Sequence, residues 1–228
     1  ITDEPCGVCS ACLDIDAGRF VDYTELDAAS NRGVDEVQQL LDKLAGKSPK
    51  LVEELVPGKL SLGVVTRVLQ HLLNEGVSIR DMRSITESLT EASARSTDPE
   101  QLAAYVRPKL GRMIMQSLVD ESSNLSVMTL EPSLEQLLHN VLQQSQPGQP
   151  VVLEPSLAEN LFNALRMGAR AMEDEGHAAV LVVSPLIRSW LSKAVRFRVS
   201  DLTVLSYSEI PDDQAVKVIH TVNANNRG

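Results

Sequence analysis

The chain has 228 residues, 43% of them hydrophobic, which is enough for one large domain or two modest ones with a sizeable core. Its formal net charge of -10 and its aromatic content of 3% argue against a protein that coats nucleic acid or stacks bases on an aromatic platform. No stretch approaches the roughly 20 apolar residues that a membrane-spanning helix needs, so the chain is predicted to be soluble and to contain no membrane segment.

The first residues differ in character from the rest. The sequence begins at Ile1 with no Met and no signal-like segment, and we expect it to be a fragment of a longer protein. Residues 1–42 hold ten acidic and two basic residues, a net charge of -8, whereas residues 43–228 hold 21 and 19, a net charge of -2. The three cysteines also lie in the first segment. These differences predict two unlike pieces.

Cys6, Cys9 and Cys12 form a C-x2-C-x2-C run that can aim three thiolates at one point. This spacing predicts three ligands of a zinc ion, which prefers four ligands in a tetrahedron. The alternative is a set of buried or free thiols, and disulfides are disfavoured by the odd, closely spaced set. The histidines are all remote in sequence, so no fourth ligand is evident and the metal site is predicted to be incomplete. They are His71, His139, His177 and His220.

Residues 13–18 indicate a short helix, and the alternation in Phe20–Asp27 indicates a half-buried strand. The run PCGVCSACLDIDAGRFVDYTELDAASNRGVDEVQQLLD resembles the zinc module of the bacterial DNA polymerase III gamma/tau clamp-loader family. The resemblance implies a role in DNA replication and a fourth cysteine ligand upstream of Ile1. Gly46-Lys47-Ser48 is not predicted to be a phosphate loop, because Leu41 replaces the glycine that such a loop needs.

Residues 43–121 are predicted to form an all-helical, winged-helix-like subdomain. Its predicted helices cover residues 50–56, run from Ser61 to Gly76, begin again at Ser78, and extend from Asp98 to about Val119. Arg80 and Arg83 raise a helix-turn-helix alternative. The same segment carries acidic residues and no basic stripe, so we expect packing rather than nucleic-acid binding.

Residues 122–228 are predicted to form a small α/β subdomain of about four to five strands, giving a mixed α+β fold class overall. Candidate strands are 125–130, 151–153, 179–183, 202–207 and 216–222, and candidate helices are 133–144, 156–175 and 185–197. The segment Leu-Glu-Pro-Ser-Leu occurs twice, at residues 130–134 and 153–157. Each copy is predicted to lie where a strand gives way to a helix, with its proline in the first helical turn.

Sequence motifs of known catalytic sites are missing. There is no nucleophile elbow, no H-E-x-x-H and no phosphate loop. The acidic clusters at 173–175 and 212–213 are typical of solvated or partner-facing surface. The sequence therefore predicts that the chain is not an enzyme.

Residues from about 35 to 228 resemble the C-terminal cytoplasmic part of the FlhA family of flagellar and injectisome export-gate proteins. The resemblance is carried by SPKLVEELVPGKLSLGVVTRVLQHLLNEGVSIRDMRSI, LEPSLEQLL, LEPSLAENL, VLVVSPLIRSWLSKAV and LTVLSYSEIP. It implies a non-enzymatic platform for type III protein export at the cytoplasmic face of the bacterial inner membrane. Implied partners are neighbouring copies in a ring, other export subunits and chaperone-cargo complexes.

The two resemblances overlap at residues 36–42. Each resemblance covers only part of a domain of its family. Our hypothesis is therefore that the chain is a chimera of a clamp-loader remnant and an export-gate fragment. One long sequencing read across the native locus tests it, since a continuous read would exclude an assembly artefact. The export scaffold is the favoured function, the clamp-loader fragment is the alternative, and an enzyme is third.

Overall fold

The computed structural model describes residues 32–116, 118–119, 124–145, 151–199 and 201–223. The helices are α1 (Arg32–Ala45), α2 (Pro49–Leu55), α3 (Leu62–Asn74), α4 (Met82–Ala92), α5 (Pro99–Val106), α6 (Gly111–Met115), α7 (Pro132–Gln144), α8 (Pro155–Asp174) and α9 (Pro185–Val195). The strands are β1 (Leu125–Leu130), β2 (Val180–Val183), β3 (Thr203–Ser206) and β4 (Val216–Val222). The predicted mixture of helices and strands is confirmed. We call residues 32–116 the helical half and residues 124–223 the sheet half.

Capping side chains fix the beginnings of two helices at the predicted places. The Ser61 hydroxyl accepts a hydrogen bond from the Val64 amide at 3.3 Å, at the start of α3. The Asp98 carboxylate accepts one from the Gln101 amide at 2.9 Å, with a proline at the first position of α5. Gly76 has a φ of 71°, a left-handed conformation that follows the end of α3 and favours glycine.

The helix predicted to begin at Ser78 begins instead at Met82. The Asp81 carboxylate accepts a hydrogen bond from the Ser84 amide at 3.0 Å and is the N-cap of α4. Asp and Ser are about equally good N-caps, so the two candidates could not be separated by residue type alone. Because α4 begins at Met82, seven residues separate α3 from α4, more than the three or four of a helix-turn-helix. The winged-helix-like shape stays a prediction.

The helix predicted to run from Asp98 to about Val119 is interrupted. After α5 the chain forms a 3-10 helix, Arg107–Leu110, and then the short α6. Pro108 explains the break, because a proline donates no backbone hydrogen bond and its ring clashes with the preceding turn. Arg107 is the first residue after the break.

The sheet is parallel throughout the part of the chain that the structure describes, in the order β3-β2-β1-β4. Residues 151–153, predicted to be a strand, are not one. Val152 is 78% exposed while Leu153 packs against the core, so this short run buries too little to join a sheet. Both repeated Leu-Glu-Pro-Ser-Leu segments place their proline first in a helix, as predicted, but only the first follows a strand.

The two faces of the sheet belong to two separate hydrophobic clusters. One cluster combines the helical half with sheet residues Leu125, Val127, Val180, Val182 and Leu205. The other combines the opposite sheet face with α7, α8 and α9. Helix α1 runs without interruption across residue 42, and the first cluster joins both sides of residues 121–122. The division at these positions stays a prediction.

Candidate functional site

Four charged side chains meet where the helical half packs on the sheet half. Glu75 follows the last residue of α3, and Arg107 begins the 3-10 helix after α5. From the sheet half, Arg188 comes from α9 and Glu209 from the 3-10 helix after β3. We call these four residues the ion cluster.

The ion cluster is held by short, converging contacts. Arg107 donates through Nη1 to Glu75 Oε2 at 2.7 Å and through Nη2 to Glu209 Oε2 at 2.7 Å. Arg188 donates through Nη1 to the same Glu75 oxygen at 2.6 Å, and its Nε lies 3.6 Å from Glu209 Oε1. The Ser206 hydroxyl also donates to Glu209 Oε1, at 3.0 Å. Each arginine therefore contacts both carboxylates.

Burial makes the ion cluster energetically sensitive. Arg107 and Glu209 are each 2% exposed and Arg188 is 3% exposed, whereas the Glu75 side chain keeps 19% of its surface in solvent. Two positive and two negative charges cancel, which offsets the cost of removing them from water. Removing one member would leave a buried charge without compensation. The cluster therefore fixes how the two halves meet.

Gly111 allows the backbone at Glu209 to approach α6. A Cβ atom at position 111 would lie 2.3 Å from the Glu209 carbonyl oxygen, too close for any side chain. This contact and the ion cluster involve the same residue of the sheet half. The close approach therefore positions the Glu209 carboxylate against Arg107.

Exposed polar pairs surround the ion cluster and also join the two halves. Glu100 accepts hydrogen bonds from Ser189 and Lys193 of α9. Partial burial raises the pKa of Glu100, but the hydrogen bonds from Lys193 and Ser189 outweigh it and hold the pKa below its usual value. Arg112 pairs with Asp213 at 3.0 Å. Such exposed pairs contribute at most about 1 kcal/mol each.

A cleft of about 440 Å³ opens beside the ion cluster. Its walls come from the loop after α3, from α6 and from Thr203 at the edge of the sheet. Arg80 lines the cleft from the helical half. The lining mixes polar and apolar groups.

The predicted metal ligands Cys6, Cys9 and Cys12 lie outside the described residues. Within the residues that the structure describes, no group of three or more His, Cys, Asp or Glu side chains is arranged to hold a metal ion. Gly46-Lys47-Ser48 connects α1 to α2, so a helix and not a strand precedes it. None of the helices described in the structure has the length and apolar character to span a membrane.

The sequence profile of the FHIPEP family matches residues 25–215, most of the chain. This chain belongs to the FHIPEP family. The match begins earlier than the predicted start near residue 35, inside the stretch that resembles the clamp loader. The resemblance to flagellar and injectisome export gates is therefore confirmed for the larger part of the sequence.

Named relatives agree with this family. The flagellar biosynthesis protein FlhA of Yersinia enterocolitica is 40% identical over 190 residues, 83% of this chain and 27% of that protein. FlhA of Escherichia coli strain K12 is 40% identical over 195 residues, 86% of this chain and 28% of that protein. The FHIPEP-family chain thus spans little more than a quarter of the length of these relatives.

Solved structures share the fold. The Chlamydia pneumoniae CdsV protein superposes with a TM-score of 0.76 at 25% identity, over 84% of this chain and 55% of CdsV. CdsV in complex with CdsO gives a TM-score of 0.75 at 25% identity, over 83% of this chain and 56% of that one. The nonameric EPEC SctV-C gives 0.73 at 28% identity, over 83% of this chain and 56% of that one.

Sequence reasoning did not single out the ion cluster. Glu75, Arg188 and Glu209 all lie in stretches that carry the export-gate resemblance, but no role could be given to them. One signal was present: Arg188 lies beside Ile187 and three residues before Leu191, both of which face the core. A lone charge next to a core stripe indicates a buried partner, although not which one.

Proposed function

We propose that this chain is part of the cytoplasmic domain of a flagellar type III export gate and acts as a docking platform. The observation that carries the proposal is family membership over residues 25–215 with 40% identity to two FlhA proteins. The ion cluster supports a mechanical role, because it holds the two halves in one arrangement without offering reactive groups. The platform acts in protein transport and catalyses no reaction.

Exchange of the matching segment in Escherichia coli FlhA tests this proposal. Residues 35–228 would replace the corresponding residues, and swimming motility and flagellin export would be measured. We expect partial to full motility. A hybrid protein that reaches the membrane at normal levels yet exports nothing would contradict the proposal. The same hybrid with Arg107→Ala is the control that should lose export.

We infer that neighbouring copies form a ring and that the ring meets other export subunits and chaperone-cargo complexes. The nonameric state of SctV-C and the complex of CdsV with CdsO support the first two parts. The complete protein would place this platform at the cytoplasmic face of the bacterial inner membrane. Mass photometry of the purified chain at rising concentration tests the ring, and a strictly monomeric chain at the highest concentration would count against it.

We propose, as a second function, that residues 1–42 derive from a clamp-loader zinc module of DNA polymerase III gamma/tau, fused to the export-gate fragment. The spacing of Cys6, Cys9 and Cys12 and the net charge of -8 over residues 1–42 favour it. With three ligands we expect weak zinc binding or none, well below one ion per chain by elemental analysis. Stoichiometric zinc, lost in a Cys9→Ser variant, would mean a complete site.

A further inference from the structure

The outer surface of α8 carries arginines that the ion cluster does not use. Arg166 and Arg170 are four residues apart and so lie on one face of α8, and Arg198 comes from the loop after α9. They line a cleft of about 310 Å³, which we call the arginine cleft, together with Ala169, Glu173, Val199 and Asp201. The cleft belongs entirely to the sheet half.

Two of the three arginines are held in place by their neighbours. The Arg198 guanidinium lies 4.6 Å from the ring centre of Phe162, and its Nη1 donates to the Ala194 carbonyl at 3.0 Å. Arg166 donates through Nη2 to the Arg198 carbonyl at 3.3 Å and through Nη1 to Asn163 at 2.9 Å. These contacts leave further N–H groups of each guanidinium for a ligand, because the group has five donors.

Arg170 differs from the other two. It is exposed, and it makes no hydrogen bond or ion pair with any residue that the structure describes. No described residue therefore occupies the donors of its side chain. Arginine presents these donors in a planar fork that fits a carboxylate through two parallel hydrogen bonds.

Exposed apolar side chains stand next to these arginines in the chain. Met167 follows Arg166 and is 68% exposed, and Phe197 precedes Arg198 and is 87% exposed. Methionine, phenylalanine and arginine are the residue types enriched at protein–protein interfaces. A ligand that suits this surface combines negative charge with an apolar group.

The charge of the part of the chain that contains the cleft decides which kind of anion fits. Residues 43–228 hold 21 acidic and 19 basic residues, so they offer no overall attraction to a long polyanion such as nucleic acid or to an anionic membrane. A short peptide is affected mainly by charges within the screening distance of about 8 Å at physiological salt, and the three arginines that line the cleft outnumber its two carboxylates, Glu173 and Asp201. We propose that the arginine cleft docks a short acidic segment of a partner protein, in which an apolar side chain accompanies at least two carboxylates.

A labelled peptide of about twelve residues, in which pairs of glutamates alternate with pairs of leucines, is the probe. Binding to the full chain would be followed by fluorescence anisotropy. We expect saturable binding that weakens as salt rises, and none by the same peptide with lysines in place of the glutamates. The double variant Arg170→Gln/Arg198→Gln should weaken binding roughly ten-fold. Arg95→Gln, which removes one exposed charge from the helical half, is the matched control.

Further variants keep the outcome decisive. Phe197→Ser should weaken binding of the acidic peptide several-fold, and Arg170→Lys, which keeps the charge but loses the planar fork, should weaken it less than Arg170→Gln does. Because Arg170 is exposed, the single Arg170→Gln variant decides the result if the double variant fails to fold. Equal binding by wild type and Arg170→Gln overturns the proposal. So does arginine-dependent binding to phosphatidylserine vesicles or polyuridylate without binding to the peptide.

Discussion

The two faces of the sheet are covered in different ways. On one face, the core residues come from both halves of the molecule, whereas on the other face they come from the sheet half alone. The helical half therefore completes its core only by packing on β1, β2 and β3. The sheet half keeps one complete core of its own. We call the region where the helical half packs on the sheet the joint. We expect substitutions in the core at the joint to affect stability across both halves, whereas substitutions in the other core should affect the sheet half alone.

Among substitutions that separate the two faces of the sheet, Arg107→Ala is expected to lower the free energy of unfolding most. The substitution leaves Glu75 and Glu209 facing each other with less compensation, in a site where Arg107 and Glu209 are each 2% exposed. Breaking a buried pair in this way costs about 3–5 kcal/mol of unfolding free energy. Urea unfolding followed by circular dichroism measures it.

Arg112→Ala provides the control for Arg107→Ala. Arg112 also pairs across the two halves, with Asp213 at 3.0 Å, but both side chains are mostly exposed. We expect a loss of at most about 1 kcal/mol. Equal effects of the two substitutions would show that burial of the ion cluster contributes nothing.

Leu205→Ala and Leu181→Ala compare the two faces directly. Both leucines are fully buried in neighbouring strands, but Leu205 belongs to the shared cluster and Leu181 to the other one. Each substitution should cost about 2–5 kcal/mol, from lost burial and the remaining cavity. Amide hydrogen exchange should rise in the helical half for Leu205→Ala, and in α7, α8 and α9 for Leu181→Ala. The same exchange pattern in both variants would mean a single unit.

Gly111→Ala tests the close backbone approach at the joint. Its Cβ would lie 2.3 Å from the Glu209 carbonyl oxygen, so α6 or the Glu209 backbone must move. We expect a loss of about 1–3 kcal/mol. Gly63→Ala is the matched control, because no atom lies within 4 Å of its Cβ, and it should be neutral or slightly stabilising. A neutral Gly111→Ala would mean that the approach is not constrained.

The smallest effect concerns pH and lies away from the joint. Hydrogen bonds from the Ser156 side chain and from the Leu157 and Ser156 amides lower the pKa of Glu154, the N-cap of α8. A lowered folded-state pKa contributes stability above the unfolded-state value, about 4.3, which is lost as pH falls through the folded-state pKa. Exchange of the Leu157 amide should therefore quicken relative to other α8 amides as pH drops below about 4. Glu154→Gln should flatten this dependence, and an unchanged profile would count against the cap.

Much of the fold could be predicted from local signals. Ser61, Asp98 and the two Leu-Glu-Pro-Ser-Leu segments mark helix starts because their effect depends on residues within one turn. The errors came where local signals competed: Asp81 against Ser78 as a cap, and Pro108 against the helical periodicity around it. Val152 has the apolar side chain of a strand residue, which led to the wrong prediction. Whether it is buried depends on residues distant in sequence, which the local pattern does not show.

The site was harder to predict than the fold. The members of the ion cluster are separated by up to 134 positions, from Glu75 to Glu209. Their pairing depends on how the helical half packs on the sheet, and no periodicity encodes that. The family follows from sequence similarity to FHIPEP relatives alone. The role of each charged residue can be assigned only from the three-dimensional contacts.

The shared contacts of the ion cluster also constrain how the sequence can diverge. Arg107 and Arg188 each contact both glutamates, so a change at one position leaves the charge of another without compensation. Interactions of this kind are not additive, and a second substitution can restore what the first removes. Over evolutionary time, positions 75, 107, 188 and 209 should therefore be replaced together or not at all. Substitutions at the four positions should therefore covary among relatives, although the positions are far apart in the sequence.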